Sequence, residues 1–142
     1  MTPEAQSRLR NWLAHATGDA SLRIEGVTRL SGGAIQQNLA LDVTTRGAPA
    51  RWVLRTDSDA TLAVSLSRPQ EYATLRAAHA AGVTVPEPLL LCEDTTVLGR
   101  PFFVMARVDG IAAGHRVVKD SALGGGREEL ARALGRELAR IH

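Results

Sequence analysis

Three strand-like runs, one capped helix and two further strand-like runs follow one another between Ile24 and Gly110, and few folds accept that order. In the second run, Gln37 to Thr45, Leu39, Leu41 and Val43 fall on one face. Asn38, Ala40, Asp42 and Thr44 fall on the other, the period of two expected of a strand with one buried side. Ile24 to Leu30 precedes this run and Arg51 to Arg55 follows it, with Arg46-Gly47-Ala48-Pro49 between them as turn chemistry. The helix is expected from about Arg68 to Ala81. Ser67 and Gln70 have capping-box spacing, Pro69 sits in the first turn where a missing N–H costs little, and Gly82 closes the end. Tyr72, Leu75 and His79 are predicted to share one face. "VPEPLLLCED" leads into a fourth strand, and "LGRPFFVMARVDG" supplies a turn, a fifth strand and a glycine exit.

These elements predict an α+β fold with a five-stranded antiparallel sheet. A single helix inserted between strands three and four covers one face of it, and the other face needs another partner. An N-terminal helix from Pro3 to Ala16, capped by Thr2 and ended by Gly18-Asp19, carries Leu9, Trp12 and Leu13 on one side. Residues 111 to 126 show little pattern. From Arg127 a last helix places Leu130, Leu134, Leu138 and Ile141 on one stripe.

With 142 residues the chain holds one domain with a real core. Aromatics are only 4% of it, so that core must come from Leu, Val, Ile and Ala. A net charge of +2, with scattered arginines and the one lysine Lys119, does not predict a nucleic-acid surface. Nor does it argue against an anionic ligand. The lone Cys92 sits in an apolar run and reads as a buried thiol. The N-terminal stretch does not read as a secretory signal, and no run approaches the ~20 apolar residues of a membrane span. A cytoplasmic location is the resulting expectation.

The connection "RLSGGAIQQN" leaves two readings open. Gly-Gly between strands is ordinary hairpin material, yet glycine also lets backbone N–H groups converge on an anion. The stretch is slightly long for a two-residue turn and is surrounded by Ser31, Gln36, Gln37 and Asn38. Arg55 alternates to the same side of the third strand as Val53 and Arg51, and Glu71 lies in the first turn of the following helix. Individually these are an exposed strand-end cation and a helix-start acid. Together with the glycine turn they form a device in which a cation holds nucleotide phosphates and an acid fixes the cation. Arginine suits both tasks because its planar guanidinium forks onto phosphate or carboxylate.

At this point the sequence resembles the small lobe of the aminoglycoside-phosphotransferase-like kinases, the bacterial phosphotransferase enzyme family. The matching stretches are "IEGVTRLSGGAIQQNLALDV", "RWVLRTD", "SRPQEYATLRAAHAAGVTVPEPLLLCED", "VLGRPFFVMARVDG" and "ELARIH", in the family's order and spacing from about residue 24 to 142. The resemblance implies a protein-kinase-like small lobe over 23–110, preceded by an N-terminal helix and lead-in (1–22). A linker and the first helix of an incomplete second lobe would occupy 111–142. It implies that Ser31, Gly32 and Gly33 belong to the nucleotide loop, and that Arg55 stands where the family has a phosphate-binding lysine. Glu71 becomes its helix partner, and Met105 to Val108, including Arg107, the hinge that meets the base. ATP or GTP with magnesium would be the cofactor. A small-molecule hydroxyl would be the phosphate acceptor in the full-length protein.

The family's catalytic aspartate, in a His-Gly-Asp type loop, and its later metal-binding aspartate have no counterpart here. None of His15, His79, His115 and His142 precedes Gly-Asp, and Asp109-Gly110 reads as the hinge exit. The sequence therefore reads as a truncated kinase-like protein, inactive alone, with metal ligands absent and an apolar helix stripe open to self-association. The alternative is a non-catalytic, pseudokinase-like module that binds a partner chain. His115 and Arg116, past the hinge, are read as surface positions. The acceptor is not legible in these residues.

Overall fold

The computed structural model describes residues 1–30, 36–58, 66–110 and 114–141. Helix α1 (Pro3–Thr17) leads into β1 (Arg23–Arg29), β2 (Gln36–Thr45) and β3 (Ala48–Asp57). Helix α2 (Arg68–Ala80), β4 (Pro88–Cys92), a single turn α3 (Thr95–Leu98) and β5 (Phe102–Ala106) follow. The chain closes with α4 (Gly114–Lys119), a short 3-10 turn (Leu123–Gly125) and α5 (Arg127–Ile141). The strands form one antiparallel sheet in the order β1-β2-β3-β5-β4. Strand β5 is inserted between β3 and β4. The α+β fold with a five-stranded antiparallel sheet and one inserted helix is thus the fold the sequence predicts.

Alternation along the strands separates the two faces. Leu39, Leu41, Val43, Trp52, Leu54, Phe102 and Val104 point to one side and join Leu9, Leu13 and Leu22 in the main core. Helix α1 is the partner that this face required. Thr2 Oγ1 accepts the Ala5 N–H at 3.3 Å, Pro3 opens the helix, and Gly18 closes it in the left-handed region at φ 65°. Trp12 meets the Phe102 ring edge-on, with centroids 5.1 Å apart and planes at 73°. Arg8 Nε donates to the Val97 carbonyl at 3.0 Å, tying α1 to α3, an element the sequence reading did not anticipate.

The hairpin between β2 and β3 is tighter than expected. Ala48 and Pro49 are not turn residues: they pair with Thr45 and Thr44. Only Arg46 (φ 50°) and Gly47 (φ 76°) turn the chain, both left-handed as a two-residue hairpin demands. Pro49 is tolerated because β5 meets β3 only from Trp52 onward, so the proline lies where β3 has one neighbour.

Asp19 holds this hairpin against the start of β1. Its carboxylate accepts from Ser21 N (2.9 Å) and Oγ (2.5 Å), Thr45 Oγ1 (2.8 Å) and Arg46 N (2.6 Å). The Ser21 hydroxyl, then the Arg46 amide and the Thr45 hydroxyl, hold this carboxyl far below the usual carboxylate range. A depressed folded-state pKa gives stability that is full above the unfolded value, about 3.9, and is lost as the pH falls below it. Asp19→Asn is therefore expected to melt lower than wild type at pH 7. The difference between the two melting temperatures should shrink as scans are taken toward pH 2.5, and a constant gap would show that this carboxylate does not control acid stability.

The C-terminal region is more open. Cys92 is buried, as expected, and burial pushes its thiol pKa up. Helix α5 has no buried residue, and Leu134, Leu138 and Ile141 are exposed. Glu137 ties it to the chain after α2, accepting from Thr84 N and Oγ1, both at 2.9 Å. No described helix is long and apolar enough to cross a membrane.

Candidate functional site

Strand β3 places Trp52 and Leu54 in the main core and turns Arg51, Val53 and Arg55 to the opposite face. Arg55 lies across from Asn38 on β2 and Phe103 on β5. The Leu30 N–H donates to the Asn38 carbonyl at 2.9 Å, so the connection between β1 and β2 closes at the position beside Arg55. Ser31, Gly32 and Gly33, in that connection, lie outside the described residues.

Helix α2 covers part of this face, with Tyr72 tilted against Phe103 at 5.8 Å between ring centroids. Its start is fixed by the capping box: Ser67 Oγ accepts from Gln70 N, and Gln70 Oε1 accepts from Ser67 N at 3.0 Å. The helix turns Tyr72, Leu75 and Ala78 toward the protein but leaves His79 exposed, contrary to the single face predicted for Tyr72, Leu75 and His79. One helical turn in, Glu71 Oε1 meets Arg55 Nη2 at 2.8 Å, and each side chain keeps about a quarter of its surface in solvent. The sheet register and the helix cap jointly determine this contact.

Two further groups hold the guanidinium. Arg55 Nη2 donates to Gln36 Oε1, and Nη1 lies 3.4 Å from Asn38 Oδ1. Its Nε is shielded from water and has no hydrogen-bond partner among the described residues. An unspent, shielded donor on a cation is a place where an anion's oxygen gains a full hydrogen bond.

Behind this pair lies a second arginine. Arg68 is 1% exposed. Its Nη1 donates to Glu71 Oε2, its Nη2 to the Leu66 carbonyl at 2.9 Å, and its Nε lies 3.1 Å from Asp57 Oδ1 without hydrogen-bond alignment. The result is an unbroken series of opposite charges, Asp57–Arg68–Glu71–Arg55. Reading the sequence as a helix start missed both Arg68 and Asp57. One signal was present: a cation in the first turn opposes the helix dipole, so Arg68 needed a local acid to justify its place.

The predicted hinge residues are separate from this cluster. Met105 lies inside β5, paired with Val53 and Pro88. The Ala106 N–H donates to Glu87 O at 2.8 Å and the Arg107 N–H to Arg51 O at 3.0 Å, which prolongs the sheet by one step on each side. The Arg107 side chain lies 3.8 Å from Asp42. Arg51 forks onto Asp109 at 2.9 and 2.7 Å, and that hydrogen-bonded guanidinium lowers the Asp109 carboxyl below its ordinary range. Both partners are well exposed, so the fork orients the chain after β5 more than it stabilises the fold. Val108 is exposed, and among the described residues no backbone acceptor takes its N–H. His115 is exposed on α4.

Comparison with known proteins bears on the family and the fold. The family model described as the phosphotransferase enzyme family matches residues 26–142. Acyl-CoA dehydrogenase family member 10 of Mus musculus is 36% identical over 102 residues, which are 68% of this chain and 9% of that protein. Family member 11 of Gallus gallus is 43% identical over 54 residues, 38% of this chain and 6% of that protein. The chain thus spans less than a tenth of the length of these relatives. A crystal structure of a proposed aminoglycoside phosphotransferase from Ralstonia eutropha superposes with a TM-score of 0.52 at 25% identity. That match covers 75% of this chain and 29% of the solved one.

Proposed function

This chain belongs to the phosphotransferase enzyme family, and from that premise we propose that it is the nucleotide-holding lobe of a small-molecule O-phosphotransferase. In such an enzyme the γ-phosphate of ATP or GTP moves to a hydroxyl of the acceptor. The observation that carries the reading is the Arg55–Glu71 contact at 2.8 Å, next to the register position at which β1 and β2 last pair before their connection. Arg55 would hold phosphate oxygens through Nε and through donors now given to Gln36 and Asn38. Glu71 keeps the guanidinium from following the phosphate out of the pocket. The Val108 N–H, which no backbone acceptor takes among the described residues, is the natural partner for an acceptor nitrogen of the base.

Among the described residues, no group of three or more His, Cys, Asp and Glu could hold a metal. Magnesium would therefore enter on the phosphates. No His-Gly-Asp segment occurs in these residues, so what they supply is grip and orientation rather than the transfer step.

Titration of ¹⁵N-labelled protein with Mg-ATP is expected to move the amides of Gln36, Asn38, Arg55 and Val108, with a dissociation constant of roughly 0.1–1 mM. Arg55→Met should weaken Mg-ATP about tenfold, the loss of one charge-assisted bond, and leave adenosine unchanged. If neither Mg-ATP nor Mg-GTP shifts any amide at several times those concentrations, the nucleotide reading is wrong.

A further inference from the structure

We infer that Arg68 is a positioning residue whose charge, balanced against Asp57, sets how strongly Arg55 can attract phosphate. The inference rests on the nucleotide reading above and adds a control that Arg55 and Glu71 do not contain.

Glu71 is shared. One carboxylate oxygen faces Arg55 and the other faces Arg68. A carboxylate with a single cation could swing toward it and cancel its charge. Clamped between two, Glu71 is fixed in place, and neither guanidinium has it to itself. Arg68 in turn is divided between Glu71 and Asp57, which stands at the end of β3 two residues beyond Arg55. The four formal charges sum to zero.

That balance decides what an incoming polyphosphate meets. Without Arg68 the cluster carries one net negative charge, close beside the guanidinium that should receive phosphate. Without the Asp57 charge it carries one net positive charge. Arg68 is almost fully buried and the pair beyond it is three-quarters buried, so this interaction is screened far less than a surface charge would be. Arg68 itself need not touch the ligand. It acts through Glu71 and through the local field.

The consequence is a pair of opposite effects, which a purely structural role does not produce. At fixed ionic strength, Arg68→Gln is expected to weaken Mg-ATP about tenfold, because it turns the site from neutral to negative. Asp57→Asn should tighten Mg-ATP about threefold, although it also removes an ion-pair partner. The double variant restores neutrality and should return close to wild type. Inorganic tripolyphosphate should follow the same order, while adenosine, which carries no charge, should not respond to any of the three changes.

Amide titrations of wild type and the three variants with Mg-ATP, tripolyphosphate and adenosine provide the test. Wild-type binding that is weakened by both single changes, or by neither, overturns the role given to Arg68 while leaving the nucleotide reading intact. Absence of any wild-type response to Mg-ATP removes both. Should Arg68→Gln fail to fold, Asp57→Asn decides alone: weaker or unchanged polyphosphate binding is incompatible with the charge balance.

Discussion

Phe102→Ala is expected to lower the free energy of unfolding by about 3–5 kcal/mol. Phe102 is fully buried, stands edge-on to Trp12, and joins β5 to the helix that covers the main core. Alanine in its place leaves a cavity between β5 and α1 that the surrounding side chains fill only in part. Domains of this size are stable by about 5–15 kcal/mol, so the variant would sit near the edge of folding. Urea unfolding followed by Trp12 and Trp52 fluorescence measures it directly. A cost below about 1 kcal/mol would mean that α1 does not close the core as described. Phe103, one residue on, faces α2 and Tyr72 instead. Its replacement should loosen the Arg55–Glu71 contact, whereas Phe102→Ala should leave that contact in the fraction that remains folded.

Glu71→Ala is expected to cost about 2–3 kcal/mol, and to do so through the arginines it leaves behind. Breaking one partner of a fully buried pair typically costs about 3–5 kcal/mol, because a charge then stays in a dry place with nothing opposite. Here two features reduce the effect. Glu71 itself is a quarter exposed, and Arg68 keeps Asp57 at 3.1 Å. Glu71→Gln should cost less, since the amide oxygen still accepts from one guanidinium. The check is urea unfolding of the two variants side by side. Costs near zero in both would show that the carboxylate's charge contributes little and that the site is held by packing of α2 alone, whereas equal and large costs would assign the whole effect to the lost charge. Loss of Glu71 should also let Arg55 reorient, so Mg-ATP affinity and stability are expected to fall together in Glu71→Ala.

Much of this molecule was legible in its letters. Alternation gave the strands and their faces, because a period of two has one meaning when one side is buried. Ser67 with Gln70 located the start of α2 to the residue, and Thr2 with Pro3 did the same for α1. These are local signals, in which each group bonds a backbone N–H within a turn of itself. Errors arose where a longer range decided. Pro49 looks like turn chemistry by composition, and is strand because β3 has a single neighbour at that point. His79 has helical spacing with Tyr72, yet the inward face of α2 is set by what lies beneath it, and ends at Ala78.

The candidate site divides in the same way. Arg55 and Glu71 could be named from strand parity and helix position, since each depends on one element. Arg68 left one local hint, a cation in a first turn, but its pairing with Asp57 could not be named, because the contact between a strand end and a helix start exists only once the sheet and α2 are docked. Local rules of backbone and side-chain periodicity determined the elements, their caps and the face each residue takes. The docked structure alone determined which charges share a carboxylate, because that depends on distances between segments far apart in the chain, and electrostatic energy depends on distance and burial rather than on order.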